Sequence, residues 1–314
     1  MGPTASGKTG LAMELAARGP YELVSVDSAM IYRGMDIGTA KPSREERARI
    51  AHRLIDIRDP AEPYSAGDFR EDAIAAGDEI LSRGSVPLYV GGTMLYFRVL
   101  RDGIAELPAS NVALRGGLAR EAEELGWGAL HARLASLDPA AAKRIHPNDP
   151  QRLQRALEVV LATGKPLSAW WREQAVQGIA SVLDCALVQL AIVPQDRTLL
   201  HERIERRFLE MLEEGFLEEV RKLRERGNLD PALPAMKAVG YRQLWRHLDG
   251  EIDFDTMCHQ ALAATRQLAK RQLTWLRGWT GVHSLDGEDP GLVEAALKIL
   301  GAVAIVPKQP PTEL

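Results

Sequence analysis

Short apolar runs bounded by turn residues punctuate the first third of the chain. Glu22-Leu23-Val24-Ser25-Val26 and Val86-Pro87-Leu88-Tyr89-Val90 read as buried strands, and Arg53-Leu54-Ile55-Asp56-Ile57 as a weaker one. Residues 8–18 and 67–83 instead carry helical patterns. Strands alternating with helices predict a parallel α/β sheet. Past Leu107 the period changes, and helical patterns follow one another to about Arg172 without a strand. The segment 111–125 ends at Gly126. The segment 151–163 ends at Gly164, with Pro166 just beyond, which is a helix stop. An apolar run over 185–193 resumes the α/β pattern, followed by long helices over 197–226, interrupted at Gly215, and over 254–279. The expected organisation is an α/β core over 1–107 and 185–305, an inserted all-helical domain over 108–184, and a Pro-rich, disordered tail over 306–314.

Composition narrows the class of protein. The chain has 314 residues, 46% hydrophobic and 26% charged, an ordinary globular profile. No apolar run approaches the roughly 20 residues that span a bilayer, and no signal peptide precedes the first motif. Cys185 and Cys258 lie far apart without CxxC spacing, which argues against a disulfide framework or a zinc site and for a cytoplasmic protein. The net charge of −4 by itself speaks mildly against a nucleic-acid partner, although a local basic groove is compatible with it.

The chemistry begins at the N-terminus. Gly2-Pro3-Thr4-Ala5-Ser6-Gly7-Lys8-Thr9 fits G-x-x-x-x-G-K-[ST], and a helical pattern follows at once. In such a loop backbone N–H groups point at phosphate oxygens, the helix adds its positive end, Lys8 adds a mobile cation, and the Thr9 hydroxyl can ligate Mg²⁺. A P-loop NTPase-like core is therefore expected, although only Met1 stands where a strand should lead into the loop. A kinase or hydrolase of this class carries an Asp after a second apolar strand. Here the run over 86–90 ends instead in Gly91-Gly92-Thr93, and the run over 22–26 ends in Asp27. Asp27 would sit at the carboxyl edge of the sheet, where ligands bind. On spacing alone it is as readily a turn or cap residue.

Asp27 to Pro42 reads DSAMIYRGMDIGTAKP. Together with Gly91-Gly92-Thr93, His146 to Gln151 (HPNDPQ) and Val239-Gly240-Tyr241-Arg242, this closely resembles the bacterial tRNA dimethylallyltransferases, also called tRNA isopentenyltransferases. The resemblance runs from Gly2 to about Asp286. Members of that family usually carry a strand ahead of the loop. The resemblance implies transfer of a dimethylallyl group from dimethylallyl diphosphate to N6 of the adenosine just 3′ of the anticodon. Asp27 would be the base and Thr93 would hold the reacting centre. It further implies tRNA contacts from Asp27, Ser28, Ala29, Met30 and Thr93, from Gln151, Arg152, Leu153, Gln154 and Arg155, and from Arg115, Lys237, Ala238, Val239, Gly240, Tyr241 and Arg242. On a helix Gln151, Arg155 and Glu158 would share a polar face, apart from the apolar face of Leu153, Leu157 and Val160. An insertion that clamps RNA needs only a monomer.

Other candidates have plainer readings. His146, followed by Pro147-Asn148-Asp149-Pro150, reads as a turn residue. Arg266, Lys270, Thr274 and Arg277 form one helical stripe, either solvated or RNA-facing. Arg203, Arg206 and Arg207 are open between diphosphate, RNA and solvent, and Trp275 and Trp279 read as core. The rival functions are a small-molecule or nucleoside kinase on the same loop, and a nucleotide-dependent RNA-binding switch without chemistry.

Overall fold

The computed structural model describes residues 1–173 and 177–302, which divide into two compact units: Met1–Arg101 with the chain from Gly178 onward, and Asp102–Gln177. The divisions fall a few residues ahead of 107/108 and 184/185; at the second, Ile179 and Leu183 pack into the core of the first unit. The segment 306–314 lies outside the described residues.

In the first unit α1 (Lys8–Arg18) starts where Gly7 turns left-handed (φ 84°), and it buries Leu11, Ala12 and Leu15. β1 (Tyr21–Val26) follows. A capping box of Ser43 and Glu46 starts α2 (Arg44–Arg49). β2 is only His52–Arg53. The longer strand expected over 53–57 stops because Leu54 and Asp56 adopt positive φ (61° and 58°). Asp56 thereby turns to accept from Lys41 Nζ at 2.6 Å and Arg47 at 2.7 Å. A second capping box, Ser65 with Asp68, opens α3 (Ala66–Ser82). β3 (Val86–Gly91) then leads to α4 (Met94–Asp102). The strand order is β2-β1-β3, parallel throughout, with Val26 level with Gly91.

The second unit is helical among the described residues: α5 (Val112–Leu125), α6 (Trp127–Leu137), α7 (Pro139–Arg144), α8 (Pro150–Thr163) and α9 (Leu167–Glu173). Leu118, Leu130, Leu134, Leu153 and Leu157 make its core. Asn111 caps α5 and Gly164 ends α8 in a left-handed conformation. His146 is a turn residue: its Nδ1 accepts from Asn148 N at 3.1 Å, and Asp149 caps α8.

The chain returns to the first unit with α10 (Ile179–Val182) and β4 (Leu190–Ile192). The strand expected over 185–193 is this short because its parallel partner β5 (His283–Leu285) has three residues and Cys185 N donates instead to Ala180 O. Met1 lies alongside, its carbonyl accepting from Ile192 N at 2.8 Å. Between β4 and β5 come α11 (Arg197–Glu213), α12 (Phe216–Glu225), α13 (Tyr241–Leu248) and α14 (Phe254–Arg277), and α15 (Leu292–Ala302) follows β5. Gly215, at φ 101°, breaks α11 from α12 where the sequence placed an interruption. Among the described residues no helix is long and apolar enough to cross a membrane.

Candidate active site

Parallel strands deliver their carboxyl ends to one edge, and β1 and β3 therefore bring Asp27 and Thr93 together. Thr93 N donates to Val26 O at 3.2 Å, and Thr93 Oγ1 accepts from Ser28 N at 3.1 Å. The approach needs a bare backbone at Gly91, since a Cβ there would overlap Val26 O. Asp27 Oδ1 accepts from Ala29 N at 2.9 Å and Met30 N at 3.3 Å, so the carboxylate builds the turn that carries it. Both residues line a cavity of about 490 Å³.

The phosphate loop lines the same cavity through Thr4, Ala5, Lys8 and Thr9. Ala5 (φ 60°) and Gly7 (φ 84°) both sit in the left-handed region, which turns consecutive N–H groups toward one side. Not every loop residue offers itself to a ligand. Thr4 N donates to Gln272 Oε1 at 2.9 Å, and the Ser6 hydroxyl is buried without a hydrogen-bond partner among the described residues. Gly2 and Pro3 are buried. Lys8 Nζ rests on Pro3 O at 3.1 Å. Burial and neighbouring Arg207 pull its pKa down to about 8, against an opposing pull from Asp27. Arg207 lines the cavity as well, and burial lowers its pKa too, with Asp27 and Glu210 opposing. Two cations with incomplete compensation make this end of the cavity a site for an anion.

The opposite wall is the turn 36–42, and two ionic hubs hold it. Lys41 is 1% exposed, and its Nζ donates to Tyr32 O at 2.9 Å, Asp36 at 2.5 Å and Asp56 at 2.6 Å. From α12, Glu219 accepts from Asp36 N, Ile37 N and Gly38 N at 2.8, 2.7 and 3.2 Å, and from the Tyr241 hydroxyl at 2.5 Å. A Cβ at Gly38 would overlap the Phe216 ring. Gly38, Thr39, Val239 and Gly240 consequently face the cavity together.

The residues matched for RNA contact fall into two kinds. Lys237 and Arg242 in the first unit, and Gln151 and Arg152 in the second, are exposed. Leu153 and Tyr241 are fully buried. The polar face expected for Gln151, Arg155 and Glu158 is not one surface. Glu158 is 1% exposed, because it accepts from Asn111 N at 2.5 Å and Ser110 at 3.0 Å at the start of α5. Arg155 turns inward to Glu158 and to Pro108 O. Gln154 donates to Arg115 O, and Arg115 to the Ser110 hydroxyl.

Sequence reasoning missed Gln272 and Arg271, and left Arg207 open. The stripe it singled out on α14 is out of phase. Arg266 pairs with Glu205 at 2.9 Å, whereas Thr265, Leu268, Arg271, Gln272 and Trp275 line the cavity. The available signal was Gln272 itself, a polar side chain set between the buried Ala269 and Leu276. Trp279 is core and the partly buried Trp275 packs against that core, as expected, and Trp275 also borders the cavity. Among the described residues no three His, Cys, Asp or Glu side chains gather as a metal site.

The sequence and the fold both have counterparts among known proteins. The family model described as IPP transferase matches residues 30–279. The chain is similar to the full-length tRNA isopentenylpyrophosphate transferase of Bacillus halodurans, at 36% identity and a TM-score of 0.68, over 96% of this chain and 94% of that one. It is likewise similar to the tRNA delta(2)-isopentenylpyrophosphate transferase of Staphylococcus epidermidis, at 34% identity and 0.67, over 96% and 98%. A eukaryotic dimethylallyltransferase acting on tRNA matches at 27% identity and 0.78, over 95% of this chain and 76% of its own. The resemblance read from Asp27–Pro42 and its companion motifs is thus borne out across most of the sequence, and the chain belongs to the IPP transferase family.

Proposed function

We propose that this enzyme transfers a dimethylallyl group from dimethylallyl diphosphate to N6 of the adenosine just 3′ of the anticodon of tRNA, releasing diphosphate. The observation that carries the reading is one cavity lined by both kinds of group the reaction needs: the cations Lys8 and Arg207 with the phosphate loop, and Asp27 and Thr93 at the strand ends. The allylic C–O bond breaks as negative charge gathers on diphosphate, where the two cations oppose it. The N6–C bond forms, and Asp27 takes the N6 proton, which offsets the poor basicity of an amine conjugated with the adenine ring. The adenosine must leave its stack to reach the carboxylate, at roughly a few kcal/mol.

Mg²⁺ fits the donor set. It binds hard oxygens, commonly with one or two from protein and the rest from phosphate and water. The exposed Thr9 hydroxyl at the first turn of α1 would hold it. Bound there, Mg²⁺ would neutralise charge on the leaving diphosphate. In the first unit exposed Lys237 and Arg242 are proposed to contact tRNA, with Tyr241 a packing residue; in the second unit exposed Gln151 and Arg152 are proposed to contact tRNA, with Leu153 a packing residue. The protein would act as a cytoplasmic monomer.

The test is incubation with unmodified tRNA, Mg²⁺ and either labelled dimethylallyl diphosphate or labelled ATP. Label entering tRNA from the allylic diphosphate supports the reading. Label passing from ATP to a small molecule would favour the kinase, which the absence of an acidic residue at the end of β3 already disfavours. Binding without any transfer would favour the switch.

Lys8 gives a pH prediction. Its cation is present below about pH 8 and is lost as pH rises through that value. Affinity for inorganic diphosphate should therefore weaken above pH 8, approaching about tenfold per unit. Calorimetric titration of the wild type and Lys8→Met between neutral pH and strongly basic pH separates this from the ionisation of diphosphate itself. Parallel slopes for the two proteins would remove Lys8 as the titrating group.

A further inference from the structure

We propose that Gln272 is a positioning residue that sets the gap between the phosphate loop and the Thr93 loop. The proposal rests on the prenyl-transfer reading. From α14 its side chain reaches into the cavity wall, 7% exposed. Oε1 accepts from Thr4 N at 2.9 Å and Nε2 donates to Gly92 O at 2.8 Å. One carboxamide thus joins the two loops much as a peptide unit of an intervening strand would. Thr4 belongs to the loop that faces the leaving group, and Gly92 directly precedes Thr93, which braces the turn of Asp27.

The backbone is shaped to receive this amide. A Cβ at Gly92 would overlap Gln272 Nε2, so the bare backbone there lets the side chain approach. Replacing a buried amide on an otherwise apolar strip of α14 by an aliphatic group would be cheap if the amide had no partners. Here it satisfies a backbone donor on one loop and a backbone acceptor on the other.

The catalytic consequence follows from geometry. Leaving group and base are held by different loops, and in-line transfer needs both in register. A misplacement of about 1 Å can cost about a hundredfold in rate. Each loop keeps its own contacts with its own substrate, so binding persists while turnover falls.

The experiment compares wild type, Gln272→Met, Gln272→Asn and Gly92→Ala in prenyl transfer to tRNA. Met keeps the length and loses both bonds. Asn keeps the amide but is one methylene too short to span the loops. Gly92→Ala pushes the amide away without altering it. The expected result is a kcat lowered about tenfold to a hundredfold in each. KM for both substrates should stay within about threefold and tRNA affinity within about twofold, since Lys8, Arg207, Asp27 and Thr93 are left in place. A Gln272→Met enzyme with wild-type kcat, or losses confined to KM, would overturn the proposal. If both Gln272 variants fail to fold, Gly92→Ala decides by the same criterion. A wild type that transfers nothing would instead overturn the prenyl-transfer reading, which keeps the two failures distinct.

Discussion

Asp27→Asn is expected to lower the transfer rate by about two to four orders of magnitude, while tRNA affinity stays within about twofold of wild type. That loss corresponds to about 3–5 kcal/mol of transition-state stabilisation. The choice of Asn follows from the turn. Asp27 Oδ1 accepts from Ala29 N and Met30 N, and an Asn oxygen can accept from both while offering no base. Asp27→Ala removes the base and the turn acceptor together, so its larger loss would mix chemistry with loop disorder. Single-turnover transfer with saturating tRNA isolates the chemical step. Turnover near wild type in Asp27→Asn would take the carboxylate out of the proton-transfer role.

Glu219→Ala is expected to destabilise the protein by about 2–4 kcal/mol, with the thermal midpoint falling by roughly 5–10 °C. Glu219 accepts from three successive backbone N–H groups, Asp36, Ile37 and Gly38, and from Tyr241. Burial, followed by this carboxylate, pushes the Tyr241 pKa well above its ordinary value, so the tyrosine remains a donor throughout the accessible pH range. The lower figure allows for water reaching the N–H of exposed Asp36. Glu219→Gln should fall short of full rescue, because its NH₂ group would face donors. Activity should drop with stability, since Gly38 and Thr39 share a cavity wall with Val239 and Gly240. A thermal midpoint unchanged in Glu219→Ala would show that the turn holds without it.

Much of the fold is legible where local signals suffice. α1 and α3 lie within a residue of the expected spans, and β1 and β3 likewise, because apolar runs and flanking turn residues mark them. Gly126, Gly164 and Gly215 mark helix ends that the structure realises. The short strands were less legible. β2 stops where side-chain bonding of Asp56 outweighs strand propensity, and β4 is as long as its partner β5 allows, a partner far away in sequence. The site divides in the same way. The loop, Asp27 and Thr93 announce themselves by motif. Arg207 and Gln272 are brought in by α11 and α14; the polar break that Gln272 makes between Ala269 and Leu276 is a weak signal, and Arg207 has no comparable one in its neighbourhood.

The buried Lys41 hub separates two things that a motif search merges. Lys41 is enclosed by Tyr32, Asp36 and Asp56, and Glu219 gathers the same turn from α12. Neither takes part in proton transfer in the proposed reaction, yet an activity-scored saturation scan should rank them beside Asp27 in intolerance to change. Thermal shift would reorder that map, leaving Asp27→Asn with a native profile and the Lys41 and Glu219 variants without one. The residues that make this sequence recognisable are therefore in part an assembly jig, a set distinct from the residues that handle substrate.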